Sequence, residues 1–245
     1  MDYRALARAA LIAGLVAGLA ASLFGLAVTE RYLDRTITLE ETREAADANG
    51  TEMHQEVFSR RTQKAGLVLG DTLYGIAIAC LFAGVYGLLA ARRTEPARRR
   101  LLRQLAAGAI VAIVIVPFLK YPANPPGIGD AETLAHRQAL YLACLALAVA
   151  GACATVNVHG ALSGRRGRWT ALAGSGGVAL LWLAGILLLL PGRSDEATVP
   201  GRLLWQFRLS SVAAQLILWG VFAVLFARLL EPRATPRSAR LREPA

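Results

Sequence analysis

The sequence predicts an all-α integral membrane protein, a bundle of about six transmembrane helices. Hydrophobic residues fill 55% of the 245 positions, and the mean hydropathy is +0.44. The charged residues cluster between apolar runs of about 15 to 22 residues without Asp, Glu, Lys or Arg, roughly the length that crosses hydrocarbon. A core helix of a water-soluble protein would instead show a polar face at every turn.

Six apolar segments account for the predicted spans, at residues 9–28, 66–91, 105–119, 138–158, 169–190 and 209–227. The first is longer than the apolar core of a signal peptide, about 7 to 15 residues, so we expect an uncleaved span. Within it, Gly14 and Gly18 have the GxxxG spacing that permits close helix approach. The third has only 15 uncharged residues. If it were re-entrant, five spans would remain and the termini would lie on opposite sides.

The charge distribution predicts domain organisation and orientation. We expect one multi-pass domain at residues 1–231 with an acidic outer loop at 30–64, followed by a disordered basic cytoplasmic tail at 232–245. Sixteen Lys and Arg residues fall on the side of both termini, whereas the opposite side holds eleven, together with 12 of the 17 acids. The positive-inside rule therefore places both termini in the cytoplasm. Arg60, Arg61 and Lys64 fit this orientation worst.

Composition and motifs argue against other classes of protein. A formal charge of +10 could indicate a nucleic-acid partner, but the basic residues stand beside hydrophobic ends, so we expect none. Cys80, Cys144 and Cys153 lie in apolar stretches, which indicates neither disulfides nor a sulfur-based metal site. Because no nucleophile elbow, HExxH motif or phosphate loop occurs, we predict no enzyme activity and no permanently bound cofactor.

The loop after the third span is the most structured one predicted. Residues 120–130 read KYPANPPGIGD, in which three prolines restrict φ and two glycines allow tight bends. This stiff turn could simply connect two helices, or it could present carbonyl groups and the Asn124 amide to an ion. Asp71 is the one acid well inside an apolar run. It is a candidate ion or proton site, unless it lies near the outer interface, hydrated or paired with Lys64.

Three residues of the outer loop could bind a divalent metal. Glu52, His54 and Glu56 alternate, so an extended backbone would place their oxygen and nitrogen donors on one side. In a helix the two glutamates would share a face without His54. A solvated histidine among acids is the alternative interpretation.

The proline-rich loop and the helix after it carry a family resemblance. The run from Lys120 to Asp130, followed by Glu132, Thr133, His136, Arg137 and Tyr141, resembles the CbtA family of predicted cobalt transporter subunits. A second matching pattern comprises Arg61, Thr62, Gly66, Leu67, Tyr74 and Gly75. The resemblance implies a multi-pass protein of the bacterial plasma membrane that supplies cobalt for cobalamin synthesis. It also implies a small His-rich single-span partner, CbtB-like, in addition to the lipid bilayer.

On this basis we expect a membrane subunit of a divalent metal ion transporter, with cobalt as the transported solute. We place the transport pathway at Asp71, Tyr121, Asn124, Asp130, His136 and Arg137. Family members commonly carry a His-rich acidic region in the first outer loop, whereas here His54 is its one histidine. Either the partner supplies nitrogen ligands or this chain handles another solute. The alternatives are a non-transporting scaffold that stabilises a partner and, less favoured, a membrane-embedded enzyme; a homo-oligomer is left open.

Overall fold

The computed structural model describes residues 2–47, 58–125, 128–129, 131–192 and 199–231. Regular structure in these ranges is helical: α1 (Tyr3–Phe24), α2 (Glu30–Asp47), α3 (Arg60–Ala90), α4 (Glu95–Ala109), α5 (Val116–Lys120), α6 (Leu134–Arg166), α7 (Arg168–Leu189) and α8 (Gly201–Leu229). Gly25–Thr29 and Ile110–Ile115 are π-helical, and Ala131–Thr133 is a 3₁₀ turn. Among the described residues, six helices are long and apolar enough to cross a membrane, which confirms the predicted fold class.

The first helix continues beyond the predicted span. A π-helical turn, Gly25–Thr29, joins α1 directly to α2, so the first half of the segment expected as an outer loop is helical. No glycine or proline occurs from Glu30 to Asp47, and nothing in the local sequence ends the helix there. Glu30 and Thr36 are buried, with 6% and 2% of their surface exposed. The polar residues of this segment therefore indicate a change from apolar to polar surroundings, and they do not indicate the end of the helix.

The third apolar segment is one continuous helix rather than a re-entrant turn. It runs from Glu95 to Lys120 through α4, the π-helical turn Ile110–Ile115 and α5. Pro117 has no N–H to bond to the carbonyl four residues earlier, and a widened turn just before proline accommodates this loss. Four arginines expected in the connection between two spans, Arg98, Arg99, Arg100 and Arg103, belong to the first turns of α4. The helix is therefore longer than its uncharged part.

Four helices, α1, α3, α4 and α8, pack into what we call the body. At its centre α1 and α3 touch backbone to backbone: a Cβ at Gly75 would lie 2.6 Å from the Gly14 carbonyl oxygen and 2.9 Å from the Gly18 Cα. This confirms that Gly14 and Gly18 form a close helix contact. Two turns further along α3, the ring centroids of Phe82 and Phe222 are 5.1 Å apart and meet edge to face.

The remaining two long helices, α6 and α7, form a hairpin that turns at Gly167, where φ is +83°. Trp182 of α7 fits against Gly151 of α6, and its Nε1 donates to the Leu147 carbonyl oxygen at 2.7 Å. The hairpin contacts the body mainly through the continuous helix Glu95–Lys120, which we call the third span. These contacts surround a small cluster that includes Cys144 and Ile186. Much of its outer surface is apolar and exposed.

Candidate functional site

A cavity of about 840 Å³ lies where the body meets the hairpin. Four parts of the chain line it: α3, the third span with the turn after it, the start of α6, and the first half of α8. The polar lining side chains are Tyr74, Tyr121, Asn124, Arg137, Gln138, Tyr141, Ser211 and Gln215. Another cavity, of about 740 Å³ between α2 and the start of α8, contains no residue of the predicted pathway.

Residues 121–125, which we call the strap, cross this cavity and are held at both ends. The Tyr121 hydroxyl donates to the Pro191 carbonyl oxygen at 2.7 Å, which fixes the start of the strap to the end of α7. Asn124 Oδ1 accepts from Arg208 Nη2 at 2.7 Å, which fixes the far end to α8. Pro125 is fully buried. The strap is therefore rigid, as its prolines predict, and it links the hairpin to the body.

Two further cations support the backbone around the strap. Lys120 Nζ donates to the Leu187 carbonyl oxygen at 2.8 Å and lies 5.8 Å from the centre of the Tyr121 ring. Arg137 Nη1 donates to the Ile128 carbonyl oxygen at 3.2 Å. Lys120 thus satisfies a carbonyl in the last turn of α7, and Arg137 satisfies irregular backbone that lines the cavity. The Asn124 oxygen, one of the groups that could face an ion, accepts from the Arg208 guanidinium.

Three of the six predicted pathway residues, Tyr121, Asn124 and Arg137, line the cavity together. Asp71 does not line it; its backbone lies at the contact with Gly18 of α1, and it has no ion pair among the described residues. His136 is exposed on α6 and also lies outside the lining. Asp130 lies outside the described residues, as do the predicted metal ligands Glu52, His54 and Glu56 and the tail at 232–245.

Arg208 and Gln215 were not among the predicted site residues. The sixth span was expected to begin after Arg208, whereas α8 begins at Gly201 and holds Arg208 within its second turn. Gln215 lines the cavity, and its Oε1 is buried without a hydrogen-bond partner among the described residues. A signal was present in both cases, because a polar side chain at the edge of or inside an apolar run needs a polar partner or water.

The basic residues that fitted the orientation worst belong to an ion-pair cluster. Arg60 Nη2 lies 2.7 Å from Glu30 Oε2 and also contacts Asp34 Oδ1, so one guanidinium joins α3 to two acids of α2. Lys64 Nζ lies 3.8 Å from Glu30 Oε2 and 3.6 Å from Asp34 Oδ2. Lys64 therefore pairs with α2, not with Asp71.

A family model described as "Probable cobalt transporter subunit (CbtA)" matches residues 3–231, nearly the whole chain. The chain belongs to the CbtA family. This confirms the resemblance and makes the protein a multi-pass membrane protein of a transporter-subunit family. No curated protein and no solved structure matches it.

For a member of a cobalt transporter family, the donor atoms of the cavity are informative. In the described lining, the oxygen atoms that could bind a metal ion are uncharged. They belong to tyrosine and serine hydroxyls, to the side-chain amides of Gln138 and Gln215, and to backbone carbonyls. The described residues contain no group of three or more His, Cys, Asp or Glu side chains close enough to bind one metal ion. Neutral oxygens suit hydrogen bonds to water or to other ligands that an ion carries.

Proposed function

We propose that this chain is the membrane subunit of a divalent metal ion transporter and that cobalt is its solute. The proposal extends to a bacterial plasma membrane with both termini cytoplasmic, and to cobalt supply for cobalamin synthesis. Family membership over residues 3–231 carries the proposal. In this orientation the strap lies at the outer end, and the arginine run of α4 lies at the cytoplasmic end.

In this proposal the cavity is part of the solute path. Its volume of about 840 Å³ is within the range of ligand sites, roughly 300–1,000 Å³. Six water molecules at roughly 30 Å³ each take up only a fraction of it, so an ion enters with its water shell. The hydroxyls of Tyr74, Tyr141 and Ser211 and the amides of Gln138 and Gln215 then hydrogen-bond to that shell.

The position of the cavity suggests how it changes access. Its walls belong to two units, the body and the hairpin, which are joined mainly through the third span. That helix carries the π-helical turn and Pro117 beside the cavity, where its hydrogen-bond ladder is already interrupted. We propose that the hairpin moves against the body about this interrupted turn, while the strap keeps their outer ends together.

Cysteine accessibility tests the path. Cys80, Cys144 and Cys153 are first replaced by alanine, and Gln215→Cys is then compared with Leu216→Cys, its neighbour on the exposed face of α8. We expect a membrane-impermeant thiol reagent to label Gln215→Cys several-fold faster, and Co²⁺ to slow that labelling. Equal labelling of both positions, or no effect of Co²⁺, would remove the cavity from the solute path. Cobalt uptake of the cysteine-free chain is the control for function.

Two predicted sites outside the cavity need a separate test. We propose that Asp71 and the set Glu52, His54 and Glu56 contribute to cobalt capture. Asp71→Asn and the triple alanine variant should each lower cobalt accumulation in cells that also express the CbtB-like partner. Accumulation at the unchanged level, with normal amounts of protein in the membrane, would exclude the site concerned.

A scaffold is the second candidate, and the exposure of the hairpin favours it. In the most apolar 18-residue stretch of α7, only 11% of the residues are buried. Large side chains such as Leu181 and Leu188 are exposed. Such a surface suits lipid, a partner helix or a second copy of the chain. Purified chain in proteoliposomes without the partner separates the two functions: a transporting subunit takes up Co²⁺, whereas a scaffold does not.

A further inference from the structure

The arginines from Arg98 to Arg103 lie on a helix, α4, rather than in an irregular loop. Leu101, Leu102 and Ala106 of α4 are buried against the body. With 3.6 residues per turn, Arg100 and Arg103 fall on the opposite side, and both are exposed. These two arginines immediately precede the apolar part of the third helix, so they stand at the level where hydrocarbon meets headgroups.

Within the described residues, only some of these arginines are paired with an acid. Arg98 pairs with Glu95 at 3.3 Å, and Arg99 lies 3.6 Å from Glu231. In contrast, Arg100 and Arg103 have no ion pair among the described residues, and neither do Arg92 and Arg93 just before the helix. The opposite end of the bundle differs, because there Arg60 and Lys64 share two acids, the buried Glu30 and the exposed Asp34.

A cavity of about 580 Å³ adjoins this face. Arg98, Arg99 and Arg103 line it together with Tyr86, Leu102 and Leu230. Its carboxylates are Asp2, Glu95 and Glu231, and the last two are the ones paired with arginines. The cavity therefore combines guanidinium groups at a membrane-facing helix start with an apolar wall. This combination suits a lipid, whose phosphate and acyl chains need both.

We infer that the face formed by Arg100 and Arg103 binds the headgroup phosphate of an anionic phospholipid in the adjacent leaflet. A guanidinium presents parallel N–H donors to two phosphate oxygens, which makes arginine a better headgroup ligand than lysine. The neighbouring cavity accepts the upper part of an acyl chain beside Leu102 and Leu230. This inference stands without the transport proposal, because it rests on charge and position alone.

Lipid nanodiscs test the inference. The full chain is placed in nanodiscs of phosphatidylcholine with an increasing fraction of phosphatidylglycerol, and the anionic lipid retained per chain is measured by native mass spectrometry. For Arg100→Gln with Arg103→Gln, we expect phosphatidylglycerol retention to fall by about 25-fold, because each arginine near an anionic surface strengthens lipid binding by about fivefold. Arg100→Lys with Arg103→Lys should give an intermediate loss.

The matched control is Arg165→Gln with Arg166→Gln, two exposed arginines that end α6 at the same side of the bundle. Equal losses in both double variants would overturn the inference, because they would indicate general attraction to basic residues. Unchanged retention in the α4 variant would also overturn it. Because the side chains of Arg100 and Arg103 are exposed and make no hydrogen bond or ion pair among the described residues, the variants should keep the same helical content.

A soluble anion is the remaining rival. Inorganic phosphate, added to the chain in pure phosphatidylcholine nanodiscs, should leave the thermal midpoint unchanged, whereas phosphatidylglycerol should raise it. An equal rise with phosphate would show that the face binds free phosphate, and the lipid inference would fail.

Discussion

The body and the hairpin are almost equally apolar, yet they are packed very differently. In the most apolar windows of the two main body helices, which begin at Tyr3 and Arg60, 39% of the residues are buried. For α6 and α7 the shares are 17% and 11%. In lipid, apolar side chains gain nothing by leaving hydrocarbon, so helices associate through close packing and polar contacts. Hydropathy therefore identifies a span, whereas small residues and fitted rings decide which spans form a core.

The contacts inside the two units also differ in kind. Gly14 and Gly75 bring backbone against backbone, and neither side can yield without separating the helices. In the hairpin, Gly151 meets the flexible side chain of Trp182. We therefore expect the body to tolerate substitution at its glycine contact much less than the hairpin does.

The largest effect should come from Gly75→Leu. Even its Cβ would lie 2.6 Å from the Gly14 carbonyl oxygen, so α1 and α3 would have to separate. We expect most of the monodisperse protein to be lost in fluorescence-detected size-exclusion chromatography. The control is Gly84→Leu on the same helix, where a Cβ would meet no described atom within 4 Å. Equal recovery of the two variants would contradict the rigid contact.

A medium effect is expected where the strap joins the two units. Arg208→Gln removes the 2.7 Å bond to Asn124, and hydrogen bonds to charged groups contribute about 1.5–3 kcal/mol. We expect the backbone amides of the strap to exchange hydrogen faster. We also expect cobalt uptake to be at least several-fold lower. Arg202→Gln, at an exposed position of the same helix, should change neither. Unaltered exchange in Arg208→Gln would show that the strap is held by other contacts.

The smallest effect should follow from Gly151→Ala in the hairpin. The new Cβ would lie 2.3 Å from Trp182 Cδ1, so the indole must turn and lose its bond to the Leu147 carbonyl oxygen. Interhelical bonds of this kind contribute about 0.6 kcal/mol on average in a membrane, so the loss of stability should be of that order. Trp182→Phe in the same chain should remove the clash. A collapse of the whole fold, measured by thermal denaturation, would show that hairpin and body are not separable.

The sequence predicted the elements of the fold better than the site. Six spans were expected and six suitable helices are present in the described residues. The continuation of the first helix through Glu30 was missed, because a charged segment without breakers resembles a loop when hydropathy is the criterion. At the site, the prolines of the strap predicted a rigid turn. Arg208 was missed because its partner Asn124 is 84 residues away, and no local pattern connects them.

The sequence alone determined how many times the chain can cross a bilayer and where the turns are stiff. These properties arise residue by residue, from transfer into hydrocarbon and from the restricted φ of proline. Only the tertiary structure decided that α1, α3, α4 and α8 form a core, that α6 and α7 stand beside it, and that a cavity lies between the two units. The reason is that packing in lipid depends on the fit between surfaces far apart in the chain, which a one-dimensional pattern does not contain.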